Sequence, residues 1–339
     1  MNIDSMKKIL YRRVFAAVAA ACFVLAAVSG CGDAEADRGG QMRVAAGLPP
    51  VAYLARRVGG EAVRVSTMLP EGRNPHDYSP GPREVRDAAA SRLFLTVGMR
   101  FEAALARPLR QGKTRVADVS RGIVKLAMLV SGDDRHDHDH DHDHHHAHDH
   151  AHHHDHEHHD HCCDEGDGMD PHVWLDADNA CRMAENIRDE FCAADPVHAA
   201  VYRENCSRLT GELRELGTRL RAKMRPYAGR RFYVYHPAFG YLAKMLDLRQ
   251  EAVELGGREV TPARMAEIVR RARRDKVRTI FVQPQFSPSS TRALERELGL
   301  TAVPADPLRE DLKKNFSYLA EALEQGFAKE SGGDRGTDN

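Results

Sequence analysis

The chain has 339 residues, a formal net charge of −1 and 42% hydrophobic residues, enough for one large domain or two ordinary ones around a buried core. With no basic excess to set against phosphates, the composition argues against a nucleic-acid binder. The charge is unevenly spread: 16 of the 20 histidines lie between His136 and His161, among seven Asp, one Glu and two Ala, so this run carries −8 and the remainder +7.

Lys7, Lys8, Arg12 and Arg13 precede an apolar stretch over 14–28, followed by Val28-Ser29-Gly30-Cys31. A basic head, a short apolar middle and small residues before a cut site form a secretory signal over 1–30. The stretch is too short and alanine-rich for a membrane span. The four residues ending in Cys31 resemble a bacterial lipobox, which makes Cys31 a lipidated first residue and 31–41 a tether. An ordinary signal with an incidental cysteine is the alternative. Export leaves Cys162, Cys163, Cys181, Cys192 and Cys206, an odd number for an oxidising compartment. Cys192 and Cys206 flank Asp195-Pro196 and are a candidate bridge, although connectivity is not readable from sequence.

From residue 42, apolar runs at 43–47, 63–69 and 93–97 read as buried strands. Segments 51–58, 82–90 and 101–110 read as helices. This alternation predicts a parallel sheet covered on both faces, in an N-terminal lobe over 42–194. The His/Asp run interrupts it as a polar loop over 132–168, too poor in apolar residues to be buried. A helix over 178–194 follows. The Asp195-Pro196 break then opens a linking helix over 195–226, with Leu209, Leu213, Leu216 and Leu220 at helical spacing. At 1.5 Å per residue it spans roughly 40 Å. A C-terminal lobe over 227–330 repeats the pattern, with strands at 232–235, 251–255, 279–283 and 301–304. Its helices are expected at 241–246, 262–274, 291–298 and 313–329, before a disordered tail over 331–339. The fold class is α/β: two parallel-sheet lobes joined by a long helix.

Outside the run four histidines remain: His76, His172, His198 and His236. Their spacing matches no zinc-finger pattern. His198 opens the linking helix and reads as structural or solvated. His76 and His236 follow strands, as does Asp306. Loops at the carboxyl ends of strands line the ligand crevice of open α/β sheets. Three neutral imidazoles plus a carboxylate or water suit tetrahedral Zn²⁺, whereas Mg²⁺ or Ca²⁺ would call for more carboxylates.

Five segments occur in order: Pro70-Glu71-Gly72 through His76-Asp77-Tyr78-Ser79, Asp170-Pro171-His172-Val173-Trp174-Leu175-Asp176, His236-Pro237-Ala238-Phe239-Gly240-Tyr241, Pro284-Gln285-Phe286-Ser287 and Asp306-Pro307-Leu308. Together they resemble the metal-binding solute receptors of bacterial ABC transporters, in their zinc-binding (ZnuA-like) branch, over about 44–327. The resemblance implies that the linking helix is rigid and that the metal site lies in the cleft between the lobes, where His76, His172 and His236 bind Zn²⁺, with Asp306 or water at the fourth position. It implies a monomer that captures Zn²⁺ outside the cytoplasmic membrane, where a lipid anchor holds it, and delivers it to an ABC permease powered by a separate ATPase. The chain itself lacks the GxxxxGK[ST] loop of an ATPase. His at 236, where the manganese branch usually has Glu, favours zinc. Pro75 and Gln283 stand where relatives carry Glu, and the cysteine pair of the C-terminal lobe is missing.

The His/Asp run reads either as a solvated polar loop or as an auxiliary metal collector with weak, exchangeable sites, in which His136, His138, His140, His142, His144, His145 and His146 are low-affinity ligands. The alternatives are a receptor for manganese or another divalent metal, a surface adhesin, and a zinc-dependent hydrolase. The hydrolase has against it the absence of HExxH or an evident general base.

Overall fold

The computed structural model describes residues 40–128, 168–254, 261–286 and 288–332. The expected signal, Cys31, most of the tether, the whole His/Asp run, Cys162-Cys163 and the tail beyond 332 lie outside the described residues.

In the N-terminal lobe, β1 (Met42–Ala46), β2 (Val63–Thr67), β3 (Leu93–Thr96) and β4 (Arg115–Asp118) form a parallel sheet of order β2-β1-β3-β4. Between the strands run α1 (Pro49–Gly59), α2 (Pro82–Ala89) and α3 (Arg100–Leu109). Pro49 and Pro50 start α1 where no intrahelical N–H is needed. Val51, Ala52, Leu54, Ala55 and Val58 then bury its inner stripe. In the C-terminal lobe, β5 (Arg231–Val234), β6 (Arg249–Ala252), β7 (Thr279–Val282) and β8 (Thr301–Pro304) repeat the arrangement as β6-β5-β7-β8. Every residue of β3 and β7 is buried, as expected for central strands covered on both faces. Helices α6 (Gly240–Met245), α7 (Pro262–Arg274), α8 (Pro288–Leu298) and α9 (Leu312–Gly332) belong to this lobe.

Between the sheets lie α4 (Ala177–Ala194) and the 26-residue α5 (Ala199–Met224). The Asp176 carboxylate caps α4 by accepting the N–H groups of Asp178 and Asn179 at 2.8 and 2.9 Å. On α5, Leu209, Leu213, Leu216 and Leu220 are buried. Helices α4 and α5 pack on each other and on α1, and α9 packs on α5. One continuous apolar core therefore runs through both lobes, from Val44 and Phe94 past Trp174 and Leu213 to Phe316 and Phe327. A smaller core of Tyr233, Val253, Ile268, Ile280 and Leu298 lies within the C-terminal lobe.

Four sequence expectations change. Strand β4 was not anticipated, because Arg-Val-Ala-Asp on a sheet edge has one fully buried position and no readable alternation. Strand β6 begins earlier than expected, since exposed Arg249 and buried Gln250 disguise its start; Gln250 Oε1 accepts the Phe239 N–H at 2.7 Å. Cys192 and Cys206 are not bridged: with Cys181 they are free thiols, and Cys192 Sγ lies 3.7 Å from Ala199 O. Cys206 is two turns further along α5, about 10 Å from that level, beyond disulfide reach. Helix α9 also continues to Gly332, into the span expected to be a tail. Among the described residues, no helix is long and apolar enough to cross a membrane.

Candidate metal centre

His76 leaves the loop that follows β2, where its N–H is held by Asn74 Oδ1 at 3.1 Å. His172 follows a short antiparallel junction, Ala127 opposite Met169, through which the chain enters and leaves the segment 129–167. His236 comes two residues after β5. Gln283, itself buried, brackets the His236 backbone: Oε1 accepts its N–H at 3.2 Å and Nε2 donates to its carbonyl at 2.7 Å. Three loops from two lobes thus deliver three rings to one point. His76 Nε2 lies 3.4 Å from His172 Nε2 and 3.0 Å from His236 Nε2, and ligand nitrogens of all three lie within 4.8 Å of one another.

Hydrogen bonds behind the rings decide what these nitrogens present. Asp170 Oδ1 accepts both the backbone N–H and the Nδ1–H of His172, at 2.9 and 2.7 Å. Glu254 Oε2 accepts the Nδ1–H of His236 at 2.6 Å. Carboxylates accept only, so each neutral ring carries its proton on Nδ1 and turns an Nε2 lone pair toward the other imidazoles. Converging lone pairs call for a cation between them, and a carboxylate behind an imidazole raises its basicity as a ligand. Tetrahedral zinc with bonds of about 2.0–2.1 Å separates its donors by roughly 3.3–3.4 Å, near the 3.4 and 3.0 Å that separate His76 Nε2 from its two neighbours.

Burial sharpens the chemistry. His172 and His236 are 2% and 7% exposed, and His76 is half-buried. The His236 pKa is pushed down to about 4, first by burial and then by the two neighbouring imidazoles, against the opposing pull of Glu254. Its lone pair is therefore free at neutral pH. The cavity shared by the three rings is also lined by Gln283, Gln285, Phe286 and Leu308, and measures about 10 Å³. That admits one water-sized guest and no organic substrate.

Asp306 is not among the converging groups. Its Oδ1 accepts from Gln285 Nε2 at 2.8 Å and from the Leu308 N–H at 2.9 Å, so it braces the loop beside the cavity. His198 is a turn residue whose Nδ1 lies 2.7 Å from Asp195 Oδ2. Sequence reasoning missed Glu254, read only as a strand residue, and the bracket made by Gln283. A polar residue at the end of a buried strand was the available signal for both. It also missed the ties across the cleft: Trp174 Nε1 donates to Pro307 O at 2.8 Å, and Tyr241 OH donates to Asp170 O at 3.0 Å. Gly240 leaves room at that crossing: a Cβ there would sit 2.7 Å from Asp170 Oδ2 and push on the carboxylate that holds His172.

Two parallel α/β lobes, a long helix joining them and an imidazole trio in the cleft define a metal-binding solute receptor. The chain belongs to the ZnuA family, described as zinc-uptake complex component A, periplasmic, which matches residues 44–325. The high-affinity zinc uptake system protein ZnuA of Bacillus subtilis (strain 168) is 26% identical over 318 residues, covering 89% of this chain and 92% of that one. The protein of the same name from Yersinia pestis is 25% identical over 267 residues, covering 78% and 82%. A crystal structure of ZnuA superposes with a TM-score of 0.70 at 25% identity, covering 84% of this chain and 99% of that one. A zinc-bound ZnuA deletion mutant superposes at 0.69, with 25% identity and coverage of 84% and 98%.

Proposed function

We propose that this protein is the zinc receptor of an ABC import system. It captures Zn²⁺ outside the cytoplasmic membrane on His76, His172 and His236 and hands it to a permease driven by a separate ATPase, from a lipid anchor at Cys31. The observation that carries the reading is the convergence of Nε2 atoms whose rings are oriented from behind by Asp170 and Glu254. An all-imidazole donor set favours zinc over oxygen-seeking Mg²⁺ and Ca²⁺. The small cavity favours an ion as cargo over a hydrolase substrate. Release follows from loosening the loops that carry the rings, because the common core and long helix resist lobe separation.

The test is zinc titration of the full chain beside His76→Ala and a variant lacking residues 133–165. The expected result is one tight site that survives the deletion and is lost in His76→Ala. Loss of the tight site on deletion would place the principal site in the His/Asp run and overturn the assignment.

A further inference from the structure

We propose that Gln285 completes the metal position: its side-chain carbonyl accepts a hydrogen bond from a water bound as the cation's fourth ligand. The inference rests on the three-histidine reading above and assigns the place next to the metal to Gln285, with Asp306 as the residue behind it.

Three observations carry it. Gln285 lines the cavity formed by His76, His172 and His236, whereas Asp306 does not. Gln285 Nε2 lies 2.8 Å from Asp306 Oδ1. A carboxylate oxygen only accepts, so this contact settles the amide orientation, with NH₂ toward Asp306 and Oε1 turned away from it. Asp306 Oδ1 also accepts the Leu308 N–H, which holds the carboxylate in place while it holds the amide. Finally, Gln285 Oε1 is buried and has no hydrogen-bond partner among the described residues. A buried carbonyl without a donor is a feature that native proteins explain by a ligand or an ordered water.

The chemistry selects the guest. Three imidazoles leave one position of a tetrahedral zinc open. A water in that position is an acidified, strong donor, and Oε1 is a neutral acceptor with nothing else to bind. An anion such as chloride or azide brings only lone pairs toward Oε1 and is disfavoured. Gln285 is thus a positioning and specificity residue, which keeps a water on the captured ion and turns small anions away from it.

Co²⁺ loaded at less than one equivalent into the full-length protein reads this directly, through the visible bands that report its coordination number. The cleft signal is the part that His76→Ala removes. If that variant retains the whole signal, the three-histidine site itself is misassigned, an outcome separate from any result on Gln285. With the cleft signal identified, Gln285→Leu is expected to keep a four-coordinate spectrum. It should weaken zinc about 10-fold or more in a competition assay and let azide perturb the Co²⁺ bands at about 10-fold lower concentration than in the parent. Gln285→Met, of similar length and equally without a carbonyl, gives the same readings should the leucine variant fold poorly. An unchanged zinc affinity and azide response would overturn the proposal. A change of coordination number in Gln285→Leu without azide would overturn it in favour of direct ligation by Oε1.

Discussion

The two lobes share one strand order yet secure their buried histidines by different means. In the N-terminal lobe, His172 is gripped by Asp170, two residues away, which takes its ring and its backbone N–H with one oxygen. In the C-terminal lobe, His236 depends on Glu254, 18 residues away just past β6, and on Gln283 just past β7. The first arrangement is a local turn and exists wherever Asp-Pro-His folds back on itself. The second exists only when β5, β6 and β7 lie side by side. The carboxylate behind His172 is therefore placed by local chain geometry, and the groups behind His236 by sheet assembly.

The lobes differ again in their buried titratable groups. Glu102 in α3 accepts the N–H groups of Val97, Gly98 and Met99 through Oε2, each at 2.9 Å. Burial nevertheless pushes its pKa up to about 7, against those hydrogen bonds. Gly47 admits it, since a Cβ there would meet Oε1 at 1.8 Å. His236 is displaced in the opposite sense.

The largest expected effect tests the C-terminal half directly. His236→Ala removes one of the three proposed ligands and strips Glu254 of its imidazole partner. Zinc affinity should fall by about 1,000-fold, beyond the 10–100-fold typical of an outer partner. A dye-competition titration checks this, and a loss under 10-fold would remove His236 from the site.

Next comes the pH dependence of folding in the metal-free protein. Folded Glu102 takes up its proton near pH 7 and the unfolded residue near 4.5, so its contribution is lost as pH rises through that window. Folded His236 stays neutral down to about pH 4 while the unfolded ring protonates near 6.5, so its contribution is lost as pH falls from 6.5 to 4. The two slopes oppose each other, each worth up to about 3 kcal/mol. Urea unfolding from pH 4.5 to 7 should show stability rising with pH in Glu102→Gln and falling with pH in His236→Asn. Parallel slopes in the two variants would refute the opposition.

A smaller effect separates the two supporting carboxylates. In Glu254→Gln, an amide that turns its NH₂ to His236 Nδ1 reverses the ring's tautomer. In Asp170→Asn the amide keeps its oxygen toward His172, because the backbone N–H demands an oxygen there. The expected zinc affinity losses are about 100-fold for Glu254→Gln and about 10-fold for Asp170→Asn, with ¹⁵N chemical shifts reporting a tautomer change only in the former. Equal losses would erase the contrast between the lobes.

The smallest effect lies outside the site. Glu212 on α5 pairs with Arg57 on α1 at 2.8 Å and with Lys313 on α9 at 2.6 Å, and the two bases hold its carboxyl below the usual range. All three side chains are about one-third exposed, so Glu212→Gln should cost no more than about 1 kcal/mol by thermal unfolding. A larger loss would make this network a principal tie between the lobes.

The sequence by itself determined most of the architecture, because buried parallel strands read as apolar runs and their helices as 3.6-residue stripes. It failed at β4 and at the start of β6, where edge position or a buried glutamine hides the pattern. His76, His172 and His236 were legible as loop histidines after strands or beside prolines, and they converge. Asp306 was legible by the same rule, yet it turns to Gln285 and Leu308. No spacing shows whether a carboxylate faces a cavity or the amide beside it. Only the tertiary structure decided the partners: Glu254 behind His236, Gln283 around its backbone, Asp306 behind Gln285. Those choices depend on which strands become neighbours, and hydrogen bonds between distant segments leave no period in the chain.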